Sequence, residues 1–247
     1  MKKSSGCDLY IFGKNPVVEL FEKNRDIIKT LFIDESESGR KYEAIITKAR
    51  QTKIDVQIIS KKTFEKKLGR SAKHQGIMAL IHQYPYCELE QILVNTQNDS
   101  CIIITDHIQD PQNLGSIIRN AAAFGASGIL IPRANQVGVT SSVLRSSAGN
   151  AFSIPIARIG NISEIIKQLK TAGFWIIGLD GGGTDTIGKI DMSGKVAMIV
   201  GSEGDGMSRL VRENCDFIAK IPISSNIESL NVASATAIAL YQWRIGL

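Results

Sequence analysis

From residue 101 onward, short apolar runs alternate with stretches of helical spacing, and this alternation constrains the fold more than any other feature of the chain. Strands are expected at 101–105, 128–131, 154–157, 174–179, 196–200 and 217–221, and helices at 114–124, 141–147, 163–171, 207–214 and 230–244. Apolar runs without polar alternation suit strands buried on both faces. Strands that each lead into a helix at this spacing imply an α/β architecture, a parallel sheet covered by helices on both sides.

The first 83 residues carry a smaller α/β pattern, with strands expected at 31–33, 56–59 and 77–81 and helices at 16–22 and 42–50. Residues 84–99 are polar at both ends with a short apolar middle, and they are expected to be a linker between a 1–83 domain and a 100–247 domain. Charge shifts at the same place. Residues 1–86 hold 17 Lys+Arg against 10 Asp+Glu, a net of +7, whereas the remainder holds 12 against 14, a net of −2. The excess gathers in Lys61-Lys62, Lys66-Lys67 and Arg70-Ser71-Ala72-Lys73, as on a surface that meets polyphosphate. A solvated lysine-rich helix face would give the same clusters.

Several function classes drop out. No run approaches the ~18 consecutive apolar residues of a membrane-spanning helix, and the Met1–Cys7 stretch lacks the apolar segment of a secretion signal, so the protein is expected in the cytoplasm. Cys7, Cys87, Cys101 and Cys215 form no Cys-x-x-Cys pair and His74, His82 and His107 are the only histidines, so no metal site is expected. No Gly-x-Ser-x-Gly elbow is present.

In a parallel α/β sheet, ligands bind beyond the carboxyl ends of the strands. The loop after the 101–105 run is Asp106-His107-Ile108-Gln109-Asp110-Pro111-Gln112-Asn113-Leu114-Gly115, and the helix that follows carries Arg119. Asn113 and Arg119, six apart, are expected to face one pocket if that helix begins near Asn113. A plain helix cap would also account for Asp110 and Asn113. Leu179-Asp180-Gly181-Gly182-Gly183 and Val200-Gly201-Ser202-Glu203-Gly204-Asp205-Gly206 place glycines at strand ends, where backbone can approach a ligand closely. Neither is a Gly-x-Gly-x-x-Gly or a Gly-Lys-Ser/Thr loop. Glu203 is a carboxylate at a strand end, suited to ligand orientation or proton handling, or an exposed turn charge. In Ile221-Pro222-Ile223-Ser224-Ser225-Asn226-Ile227-Glu228-Ser229-Leu230-Asn231, either Ser229 or Asn231 suits the cap of the alanine-rich helix that follows.

Each of these motifs is weak alone, but their order is specific. Asn113-Leu114-Gly115-x-x-x-Arg119, Gly201-Ser202-Glu203-Gly204-x-Gly206 and Ile221-Pro222 with Ser229-Leu230-Asn231 resemble the three ordered motifs of the SpoU (TrmH) family of RNA ribose methyltransferases. Ile11-Phe12-Gly13-Lys14-Asn15-Pro16-Val17 and His74-Gln75-Gly76-Ile77 are similar to the ribosomal-protein-like substrate domain of members that methylate large-subunit ribosomal RNA.

The resemblance implies a catalytic domain with a C-terminal trefoil knot, a homodimer, and bound S-adenosylmethionine with no metal. It further implies that Leu179, Gly181, Gly201, Ile221 and Leu230 hold the cofactor, that Asn113, Arg119, Glu203, Ser229 and Asn231 form the reacting centre, and that Arg119 activates the ribose hydroxyl. The substrate so implied is a guanosine 2′-hydroxyl in 23S ribosomal RNA. The same reaction on transfer RNA, or a ribosome-assembly protein that binds RNA without turnover, are the alternatives. A first domain like the present one disfavours transfer RNA, and intact Asn113, Arg119, Glu203 and Asn231 disfavour loss of catalysis.

Overall fold

A computed structural model describes residues 9–37, 41–69, 72–202, 204 and 206–246. The chain divides into two compact units, one up to Pro85 and one from Tyr86 on.

The first unit contains β1 (Leu9–Phe12), α1 (Lys14–Lys23), β2 (Ile28–Asp34), α2 (Glu43–Gln51), β3 (Asp55–Ile59), α3 (Lys61–Leu68) and β4 (Ile77–Ile81). Its four-stranded sheet runs in the order β1-β4-β2-β3. β4 is antiparallel to both its neighbours, and β2 is parallel to β3. The unbroken apolar run 77–81 follows from this place, because an inner strand is covered on both faces and all five residues are buried. The lysine clusters 61–62 and 66–67 lie on α3. Phe64 and Leu68, one turn apart, anchor α3 on Phe32, Met78 and Leu80, and the four lysines face solvent. Arg70 and Ser71 lie outside the described residues.

The second unit contains α4 (Leu89–Val94), β5 (Ser100–Thr105), α5 (Pro111–Phe124), β6 (Gly128–Pro132), α6 (Ser141–Ser146), β7 (Ile156–Ile159), α7 (Ile162–Thr171), β8 (Trp175–Leu179), β9 (Asp185–Thr186), β10 (Lys195–Val200), α8 (Arg209–Glu213), β11 (Phe217–Lys220) and α9 (Val232–Ile245). Its seven strands are parallel throughout, in the order β7-β6-β5-β10-β8-β11-β9. The expected parallel α/β sheet is thus present. Ile102, Ile103 and Ile104 of β5 and Val196 to Ile199 of β10 are inaccessible to solvent, each large side chain contributing roughly 1.5–3 kcal/mol through burial. Among the described residues no helix is long and apolar enough to cross a membrane, and no cluster of side chains suits a metal ion.

Three local expectations change. The stretch 84–99 is not bare linker. It forms α4, closed by a reciprocal Glu88–Gln91 capping box, and Leu89 and Ile92 are buried in the core of the second unit. Strand β7 begins two residues later than expected. Helix α5 begins at Pro111 rather than Leu114, because the Asp110 side chain accepts from Gln112 N at 3.0 Å and proline fits the first helical turn. Leu114, Ile117, Ile118 and Ala121 form its buried stripe, and Gly125, left-handed at φ 77°, ends it.

Candidate active site

Strands β5 and β10 are neighbours, yet the chain leaves β5 toward β6 and β7 and reaches β10 only after β8 and β9. Their carboxyl ends therefore mark the switch point where an open parallel sheet forms a crevice. Two cavities lie beyond these ends.

The first, of about 490 Å³, is bounded by the loops after β8, β10 and β11 and the start of α9. Leu179, Gly181, Gly201, Ile221 and Leu230 all line it, together with the carboxylates Asp180 and Glu228. Backbone closes one wall. Ser202 N donates to Gly206 O at 3.0 Å and Gly206 N to Ser202 O at 3.1 Å. A Cβ on Gly201 would lie 2.1 Å from Gly206 C and 2.3 Å from Met207 N, so this turn closes only over a glycine. Gly181 differs, with open space where its Cβ would be. On the far side, Arg212 pairs with Asp180, whose other oxygen accepts from Gly182 N at 2.8 Å.

The second cavity, of about 430 Å³, is lined by His107, Asp110, Asn113 and Ser208 among others, and shares Ser202, Gly204, Gly206 and Val232 with the first. The two adjoin across one turn. Asn113, in the first turn of α5, accepts at Oδ1 from Asn231 Nδ2 at 2.9 Å. Asn231 in turn caps α9, its Oδ1 accepting from Ala233 N at 3.0 Å and Ser234 N at 3.3 Å. Of the two candidates for that cap, Asn231 fills the role and Ser229 faces the first cavity. One amide pair thus ties two helix N-termini together, and Asn120 Nδ2, about two turns further along α5, donates to Ala233 O at 3.1 Å.

Arg119 is placed differently from expectation. It is exposed, lines neither cavity, and has no ion-pair partner among the described residues. The cause is helical geometry: six residues advance an α-helix by about 600°, leaving Arg119 about 120° around the axis from Asn113. Glu203 lies outside the described residues.

His107, to which the motifs assign no role, also lines the second cavity, with Asp106 buried behind it. Asp106, directly after β5, is 2% exposed; its Oδ1 lies 2.6 Å from His107 Nδ1, and its Oδ2 accepts from Ser208 N at 2.8 Å. The pair's signal in the sequence is a carboxylate followed directly by an imidazole just after the Ile102-Ile103-Ile104-Thr105 run ends.

Residues 100–241 match the family model described as SpoU rRNA Methylase family, and residues 10–87 match that described as RNA 2′-O ribose methyltransferase substrate binding. The chain is 33% identical, over 94% of each chain, to the YacO protein of Bacillus subtilis (strain 168), assigned to the TrmH family of tRNA/rRNA methyltransferases. It is equally 33% identical, again over 94% of each, to the 23S rRNA (guanosine-2′-O-)-methyltransferase RlmB of Xanthomonas campestris pv. campestris. Among solved structures, the AdoMet-bound rRNA methyltransferase from Sinorhizobium meliloti superposes with a TM-score of 0.83 at 27% identity, covering 97% of this chain and 88% of that one. With a methylase model over its parallel-sheet unit and a substrate-binding model over its basic unit, the chain belongs to the SpoU methylase family of RNA methyltransferases.

Proposed function

We propose that this chain methylates the 2′-hydroxyl of a guanosine ribose in 23S ribosomal RNA, in the cytoplasm, with S-adenosylmethionine as donor. One observation carries the reading: the residues that the family motifs assign to the cofactor surround a single cavity, and that cavity adjoins a second one bearing Asn113. The likeness to RlmB over 94% of both chains supports the choice of substrate.

The first cavity suits such a donor. Leu179, Ile221 and Leu230 offer apolar surface for an adenine ring, glycine backbone supplies polar groups at close range, and Glu228 places negative charge where a ligand with an ammonium and a sulfonium gains from it. When bound, S-adenosylmethionine supplies a sulfonium-activated methyl group. The rest is alignment: the Asn113–Asn231 pair fixes the edge of the second cavity, where a ribose would be presented in line with that methyl group.

A guanidinium is a poor proton acceptor and its planar fork of donors matches a phosphate, so Arg119 clamps a substrate phosphate rather than taking a proton. The site is completed by a second copy. Ile238, Tyr241 and Ile245 form an exposed apolar stripe on α9, spaced three and four apart, and α9 packs on the helix that carries Arg119. A homodimer covering this stripe brings Arg119 to the subunit contact. The insertion of β10 between β5 and β8, with the chain then returning to pack α9 on α5, supports the trefoil knot expected of the family.

The test is methyl transfer from labelled S-adenosylmethionine to unmodified 23S ribosomal RNA and, separately, to unmodified transfer RNA, with the product nucleoside identified and the enzyme's mass measured by sedimentation. Label in 2′-O-methylguanosine from ribosomal RNA, made by a dimer, is the expected result. Label in transfer RNA alone would overturn the substrate, cofactor binding without transfer to either would overturn catalysis on free RNA, and an active monomer would remove the second copy.

A further inference from the structure

The reaction proposed above requires something to accept the ribose proton, and the side chain that the family resemblance names for this step is an arginine. Resting on that reading, we infer that His107 accepts the 2′-hydroxyl proton and that Asp106 orients it. His107 Nδ1 lies 2.6 Å from Asp106 Oδ1. Asp106 is held in place at its other oxygen by Ser208 N, 2.8 Å away, two residues beyond the turn that the two cavities share. Donation from Nδ1–H to this fixed carboxylate sets the tautomer and leaves the Nε2 lone pair on the opposite side of the ring. His107 lines the second cavity together with Asn113, and its Nε2 has no partner among the described residues.

The pair therefore has the arrangement of a general base and its orienting group, with the base beside the space adjoining the cofactor cavity. As the ribose O2′ forms its bond to the methyl carbon, the carbon–sulfur bond breaks with its electron pair passing to sulfur, and the sulfonium becomes a neutral thioether. The hydroxyl proton moves to His107 Nε2. The resulting imidazolium, its side chain 46% exposed, returns that proton to solvent. This divides the work: Arg119 handles phosphate, His107 the proton.

The backbone at residue 107 makes the test clean. His107 is left-handed, with φ of 60°, a conformation glycine adopts without strain, so His107→Gly removes the imidazole and leaves the loop its geometry. Single-turnover methyl transfer with saturating cofactor and RNA is expected to fall about 10²- to 10⁴-fold, while calorimetric affinity for S-adenosylmethionine changes less than about twofold and added imidazole restores part of the rate. In the double variant Asp106→Asn/His107→Gly the same imidazole rescues less, because the free ring has lost the carboxylate that orients it. Equal rescue would show that Asp106 only secures the turn at Ser208. An undiminished rate in His107→Gly, a loss that imidazole does not restore, or a loss accompanied by failed cofactor binding would each overturn the inference. Wild-type chain that methylates no RNA would instead defeat the reading of function on which it rests.

Discussion

The two units meet their ligands by different physical means. In the second, the sheet is wholly parallel, its central strands β5, β8 and β10 carry a single charge, Lys195 at the start of β10, and both cavities are walled by loops at strand ends and by helix starts. In the first, the sheet is mixed and the conspicuous feature is exposed lysine, with Lys61, Lys62, Lys66 and Lys67 on one eight-residue helix. Methyl transfer demands placement to a fraction of an ångström, which packed backbone supplies. Holding a polyanion demands charge over an area, which long solvated side chains supply with little requirement for register. Substitutions should therefore act steeply and locally in the second unit, and gradually and additively in the first.

The steepest effect is expected at Gly201. Its Cβ would lie 2.1 Å from backbone of Gly206, and no side-chain rotation relieves that clash. Gly201→Ala must open the turn that walls both cavities, and calorimetry should show S-adenosylmethionine affinity reduced by a factor of about 100 or more, with a stability loss of about 1–3 kcal/mol. Gly181→Ala is the control. It lines the same cavity but meets nothing within 4 Å, so the same titration should change by no more than about threefold. Equal effects at the two glycines would mean that the turn is no rigid wall.

A smaller and additive effect belongs to α3. Replacing Lys61, Lys62 and Lys66 by alanine should leave cofactor affinity unchanged and weaken RNA binding gradually. For each phosphate that a removed lysine no longer neutralises, the slope of log K against log salt should become shallower by about 1. Lys67 behaves differently from its neighbours: its Nζ donates to Tyr10 Oη at 3.0 Å and sits 5.1 Å and 5.3 Å from the ring centroids of Tyr10 and Phe32. Lys67→Ala should therefore also cost about 0.5–1 kcal/mol of stability, visible as a lower melting temperature that the other three variants lack. A salt slope unmoved by the triple variant would place RNA binding elsewhere on the molecule.

The same contrast governs what was legible in the sequence. Buried parallel strands announce themselves, because the runs at 101–105 and 196–200 contain no polar residue until Thr105, and the observed β5 and β10 differ from them by one residue at the start. The ordered motifs pointed to residues that do surround one cavity. What escaped depends on contacts that no local pattern records. Asn113 and Asn231 meet across 118 positions. Gly115 is required because a Cβ there would lie 1.8 Å from Ser146 Oγ on α6, a fact about two helices rather than one. Arg119 lines neither cavity because six residues fall short of two full turns, which turns it away from Asn113. Helix α4 was hidden because two buried residues, Leu89 and Ile92, suffice to dock six residues on a core that already exists.

The smallest effect expected is one of protection. The described cysteines, Cys87, Cys101 and Cys215, all belong to the second unit. Burial pushes the Cys101 thiol upward and that of Cys215 up to about 11, the latter with help from the negative charge of Asp216. Since the thiolate is the reactive form, iodoacetamide at pH 8 should leave both unmodified in the native protein. Cys101 lies on the central strand β5 and is wholly buried, whereas Cys87 is partly exposed and its thiol is raised less far. As urea increases, Cys87 should therefore label first by local opening, and Cys101 only when the whole sheet opens. The sign for stability follows from the same shifts. The thiols are neutral in both states below pH about 8.5, so the preference of the fold for neutral thiols is fully present there. It is lost as pH rises through the folded value of Cys215, about 11. Mass spectrometry of the labelled peptides would report this order directly. Early labelling of Cys101 would mean that the parallel sheet opens as readily as its margins, and the contrast between a rigid catalytic unit and a tolerant binding one would fail at its base.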